Sequence, residues 1–179
     1  MKGIVIAFFI FLPIFGFCQS IVYCPEIQTE AREGFDNFHI SLVFNDLRTY
    51  TQKPRKICPK NKIYSQFVNF IKETYPNIKI TVLDENRFYE SPDSGKVTFK
   101  INFTKYDVTL HKATGTFVAN TKYEATIFDY RVRKMIIKDT FSGEARVSNS
   151  LPSGGRIASN SSFESAFDKF LTMFEKLNP

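Results

Sequence analysis

The 179-residue chain has no tryptophan, only two histidines and only three cysteines. His39 and His111 have no second histidine at the two- to five-residue spacing of a zinc or di-iron site, so neither a metal nor another cofactor is expected. Glycine is sparse as well. Its one cluster, Ser153-Gly154-Gly155-Arg156, lacks both the preceding strand and the Gly-Lys-Ser/Thr ending of a phosphate-cradling loop, and reads as a linker. No stretch reaches the roughly 18–20 apolar residues of an internal membrane-spanning helix. Hydrophobic residues at 43% and charged residues at 23% are also incompatible with a disordered or collagen-like chain.

Two things are present in excess: twenty phenylalanines and a net charge of +6. Five of the phenylalanines fall in the first eighteen residues, which have the layout of a secretory signal peptide. Lys2 supplies the positive region and Ile4 to Phe15 the apolar one, with cleavage expected between Cys18 and Gln19. The rival reading makes Cys18 the lipidated first residue of an envelope lipoprotein. Phe17 stands against it, because a lipoprotein signal carries a small residue there. Removal of residues 1–18 leaves 161 residues with 23 basic and 18 acidic side chains, a net +5. Of the three cysteines Cys24 and Cys58 then remain, and in an exported chain an even pair is a disulfide candidate, two free thiols being the alternative.

Residues 19–37 read as an irregular tail, and residues 38–179 as a single α+β domain. Ile40, Leu42 and Phe44 alternate along a first strand that ends near Asn45-Asp46-Leu47-Arg48. A loop with Pro54 and Pro59 follows. Ile63, Phe67, Phe70 and Ile71 then mark one face of a helix over about 62–75, which Pro76 ends. Strands are predicted over 78–83, 97–111, 116–130 and 132–147, the last with a bend near Ser142-Gly143. Residues 148–160 read as a flexible loop. A final helix is expected to start at Ser161, capped by its hydroxyl with Glu164 reaching back, and to bury Phe163, Phe167, Phe170, Leu171 and Phe174. The order predicts a two-layer sandwich, a mixed and mostly antiparallel sheet with both helices on one face.

Catalytic chemistry finds little to work with. A small basic nuclease can use two histidines and a lysine as acid, base and phosphate clamp, but no spacing here brings His39 to His111. Cys58 has no activating base in view, and an exported thiol lacks the reducing surroundings a nucleophile needs. Binding has more support. Lys53, Arg55, Lys56, Lys60 and Lys62 place five cations in ten residues, and Arg131, Arg133 and Lys134 crowd the turn between the last two strands. Lys53, Arg55, Lys56, Arg131, Arg133 and Lys134 are thus the candidate binding residues for a lipid headgroup, a glycan or an acidic protein, against the plainer reading of a solvated surface. Tyr106, Tyr123, Phe128 and Tyr130 are candidates to line an uncovered sheet face. Nucleic acid is the least expected partner of an exported chain.

The run Ile40-Ser41-Leu42-Val43-Phe44-Asn45-Asp46-Leu47-Arg48, a strand ending in Asp-x-Arg, resembles the opening of small envelope proteins of the YajG type and of the auxiliary lipoproteins of envelope ABC transporters, with a topology like the TolB N-terminal domain. The resemblance extends over about residues 38–177 through the order of helix, short strand, long meander and C-terminal helix ending Phe170-Leu171-Thr172-Met173-Phe174. It implies a non-catalytic periplasmic or secreted accessory that binds another envelope protein or a lipid component, and it transfers no catalytic residue.

Overall fold

A computed structural model describes residues 22–36, 38–49, 57–83, 97–130 and 132–177. The elements run β1 (His39–Asp46), α1 (Lys60–Thr74), β2 (Lys79–Val82), β3 (Val97–His111), β4 (Thr116–Asp129), β5 (Lys134–Ser148) and α2 (Gly154–Phe174), followed by a 3-10 turn at Glu175–Leu177. The expected α+β sandwich is what forms. Five strands lie in the order β2-β1-β3-β4-β5. β1 pairs in parallel with β2 and β3, and β3, β4 and β5 form an antiparallel meander.

The core is aromatic. Ile40, Leu42 and Phe44 of β1 stand beside Val97, Phe99 and Ile101 of β3, and all of them are buried. Above this face lie both helices. Phe67 of α1 meets Phe167 of α2 at 4.7 Å and Tyr123 of β4 at 6.1 Å. Phe170 and Phe174 of α2 pack edge-on against Phe99 at 5.7 and 5.2 Å. Each such ring withdraws enough apolar surface to contribute about 1.5–3 kcal/mol, so phenylalanine does here the filling that tryptophan does elsewhere. β1 is buried on both faces, with Ser41 and Val43 as inaccessible as Leu42. The tail over 22–36 has no helix or strand, yet its Ile27 and Phe35 are buried, and Phe35 stacks on Phe174 at 4.2 Å.

α2 departs from its predicted start. It begins at Gly154, with Ser153 in the left-handed region at φ 60° and no side-chain cap. The Ser161–Glu164 capping box does not form, because Ser161 lies inside the helix, and the Ser153–Arg156 segment is the helix start, not a linker. The physical reason is close packing by small residues. A Cβ on Gly155 would sit 2.3 Å from the Tyr23 ring, and one on Gly154 2.7 Å from the Ser148 carbonyl. Ser159 and Ser162, polar but fully buried, continue this face along the helix. The Ser159 hydroxyl bonds the Tyr106 hydroxyl, Thr121 bonds Ser162 at 3.0 Å, and the Tyr123 hydroxyl donates to the Ala166 carbonyl at 3.1 Å.

Tyr106 and Tyr123 therefore face the helices, not an uncovered sheet face. Burial pushes both phenols well above their ordinary titration range. Gly143 also has a different role from the predicted bend: it sits under the α2 backbone. The breaks in register fall elsewhere, between Phe103 and Lys105 and between Ile127 and Phe128. On β2, Val82 is 56% exposed on the edge of the sheet.

Candidate functional site

The closed end of the β4–β5 hairpin gathers the most conspicuous surface chemistry. Asp129 and Lys134 are the last paired residues, so the connection is four residues long, 130–133. Within it Arg133 takes a left-handed φ of 52°, which lets a loop this short close. Arg133 and Lys134 are exposed and make no ion pair among the described residues. Arg131 lies outside the described residues, as do Lys53, Arg55 and Lys56 of the first basic loop and the Cys18–Gln19 junction. Lys60 and Lys62 are exposed on the first turn of α1.

The same hairpin end is also apolar. Phe128 and Tyr130 meet edge-on at 4.7 Å, both half-buried. Val132 is 63%, Met135 43% and Ile136 38% exposed. A regular strand would turn one of two consecutive residues inward. Here Phe128 pairs with Met135 while Ile127 pairs with Ile137, so Ile136 is an unpaired extra residue and both Met135 and Ile136 face solvent. The sequence held a clue in three consecutive apolar residues, Met135-Ile136-Ile137, within a strand that otherwise alternates.

β5 is also the long open edge of the sheet, at 15 residues against 4 for β2. Its middle is partly blunted. Lys169 of α2 donates to the Ser142 carbonyl at 2.6 Å, and the Thr140 amide donates to the Asp139 carboxylate at 2.7 Å. Beyond Gly143 the outward-facing Glu144 and Arg146 pair with each other, at 2.8 Å, and with no other charge among the described residues. Such an edge offers unpaired backbone groups to an added strand.

Elsewhere the chemistry is structural. At the end of β1 the Asp46 and Arg48 side chains are each 4% exposed, and the guanidinium grips the carboxylate with two bonds of 2.8 and 2.6 Å beside the Phe103 ring. The Cys24 and Cys58 sulfurs lie at bonding distance, 2.19 Å, with Cα atoms 5.2 Å apart. His39 hydrogen-bonds Thr81 at 2.7 Å near the start of β1. His111 closes β3, fourteen residues past the Val97 that stands opposite Ile40. At about 3.3 Å per residue the two rings are some 45 Å apart along the sheet, so they cannot share one substrate.

A cavity of about 410 Å³ opens between the tail and the helices, lined by residues 28–32, Phe70, Glu164 and Asp168. Burial, then the neighbouring Asp168 charge, raises the Glu164 carboxyl above its ordinary range. Arg32, at the rim, is held by Glu175 at 2.6 Å.

No family model matches the chain, and no curated protein matches it. Among solved structures, protein XCC0632 from Xanthomonas campestris, of the DUF330 family, is similar in fold, with a TM-score of 0.50 and 9% identity over 86% of this chain and 92% of that one. Lipoprotein GNA1162 from Neisseria meningitidis matches with a TM-score of 0.43 and 12% identity over 75% of this chain and 98% of that one. Protein CT253 from Chlamydia trachomatis gives 0.44 and 10% over 77% and 94%. The likeness to XCC0632 is one of fold. No helix among the described residues is long and apolar enough to cross a membrane.

Proposed function

We propose that the protein is a non-catalytic accessory of the bacterial cell envelope, exported to the periplasm or beyond, that works by holding another protein. The observation carrying this reading is the open 15-residue edge of β5, whose last third, Glu144 to Ser148, is not blunted by a helix side chain. A partner segment added there gains backbone hydrogen bonds, while Glu144 and Arg146 set its charge pattern. The Asp-x-Arg strand end, the YajG-like and ABC-auxiliary element order and the signal-like first eighteen residues support an envelope setting. The paired arrangement of Cys24 and Cys58 suits an oxidising compartment.

The test is a mild crosslink in the native envelope, followed by recovery through a C-terminal tag and mass spectrometry. One stoichiometric partner, lost in an Arg146→Pro variant that removes an edge-facing N–H while leaving the β4 ladder intact, is the expected result. Recovery of the monomer alone, or of the same partner with the Pro variant, overturns the reading.

A further inference from the structure

We infer that the β4–β5 turn is a membrane-surface anchor that inserts into an anionic phospholipid bilayer. Three observations converge on it. Val132 on the turn and Met135 and Ile136 at the start of β5 are exposed apolar residues, and the register break at Ile136 turns two neighbours outward where a regular strand would bury one. Arg133 and Lys134 lie between them in the chain and Lys138 two residues beyond, all exposed and none ion-paired among the described residues. Tyr130, half-buried against Phe128, adds a ring with one polar tip of the kind that favours the headgroup level.

The geometry selects a bilayer over a protein groove. Binding anchors for proteins seat in complementary concave sites, whereas this patch sits on and beside the four-residue connection that closes the β4–β5 hairpin. From Val132 to Met135 is at most about 10 Å of chain, the depth of the headgroup and acyl boundary. Cations placed at that level meet lipid phosphates while the apolar residues pass below them. The charge is complementary to an anionic surface, since residues 132–138 hold three cations, Arg133, Lys134 and Lys138, and no acid, and the whole chain is basic. This inference is independent of the β5 edge reading: the edge-facing Pro variant at Arg146 leaves the turn untouched, and variants of the turn leave the edge intact.

The exported protein, its N-terminus read by intact mass, is sedimented with vesicles of phosphatidylcholine alone or with equal phosphatidylglycerol. Binding is expected only to the anionic vesicles, and to weaken steeply with salt. Each cation near such a surface is worth about fivefold in partitioning, so Arg133→Gln with Lys134→Gln lowers it about 25-fold. Lys112→Gln with Lys122→Gln, which lie away from the turn, leaves it unchanged. The absence of tryptophan supplies a second readout. Val132→Trp creates a single indole whose emission shifts to the blue, and is quenched by brominated acyl chains, when anionic vesicles are added. Equal binding to both vesicle types, indifference to the Arg133 and Lys134 changes, or an indole that stays in water overturns the proposal. So does capture by an acidic protein in place of lipid.

Discussion

Gly143 of β5 lies directly beneath Ser162 of α2: a Cβ built on the glycine would be 2.0 Å from the Ser162 carbonyl oxygen and 2.9 Å from the Ala166 amide. The obstacle is helix backbone, not a side chain that can swing aside. Gly143→Ala is therefore expected to lift α2 off the sheet and destabilise the fold by about 3 kcal/mol or more. Urea unfolding of the variant checks this. An unchanged midpoint would mean that the helix does not sit so low.

The buried Asp46–Arg48 pair gives a test of non-additivity. Removing one partner leaves a desolvated charge, so Arg48→Met is expected to cost about 3–5 kcal/mol. Adding Asp46→Asn to it should recover a good part of that loss, because the orphaned carboxylate is gone. A double-mutant cycle by chemical denaturation measures the coupling.

The Cys24–Cys58 bridge closes a sequence separation of 34 residues. In the chain-entropy model such a loop contributes about 3–4 kcal/mol. Reduction, or Cys24→Ser with Cys58→Ser, is expected to lower the urea midpoint accordingly without changing the far-ultraviolet spectrum of the folded state. A free-thiol assay on the untreated protein should find no reactive group at either position.

Glu175 predicts an acid-sensitive edge of stability. The Tyr75 hydroxyl, at 2.6 Å, and Arg32 hold its carboxyl below the ordinary range, against some opposing burial. A lowered folded pKa means stability that is present above the unfolded value and is lost as pH falls through the folded one. Glu175→Gln should thus cost about 0.5–1 kcal/mol at neutral pH, the scale of a half-exposed pair, and flatten the decline below pH 4.5. Glu164 has the opposite sign, since its carboxyl is raised. Its charged form is penalised at neutral pH, so Glu164→Gln should be neutral or stabilising there. Thermal melts between pH 3 and 7 distinguish the two.

Much of this architecture is legible in the residues. The alternation of Val97, Phe99, Ile101 and Phe103 marks β3, whose observed limits are the predicted ones, and the spacing of Ile63, Phe67, Phe70 and Ile71 marks α1. Periodicity works where apolar side chains do the packing. It fails at the start of α2, where the buried face is Gly154, Gly155, Ser159 and Ser162 and closeness of backbone replaces hydrophobic bulk. It fails again at Tyr106, because a register break in β3 and a hydroxyl bond to Ser159 of α2 reward an inward phenol that pattern alone places outside, whereas Tyr123 keeps the inward parity of Ala125 and Ile127 along β4. The candidate surface was half readable. Its cations stand in the sequence, but that Met135 and Ile136 both face outward depends on which of two strands carries the extra residue.

The stacking of Phe35 on Phe174 has a consequence for how the chain comes to be finished. These rings lie near opposite ends of the described polypeptide, and β1, the strand buried on both faces, waits for β3 to supply its second ladder. A chain emerging N-terminus first, as the proposed export would deliver it, would complete the β1 ladders once β3 appeared but would leave Phe35 and the Phe67 face of α1 without Phe174 and Phe167 until α2 emerged. Under that proposed export, completion of the aromatic core would come only at the end of transit. The order of emergence thus makes the C-terminal turn the latch of the whole fold.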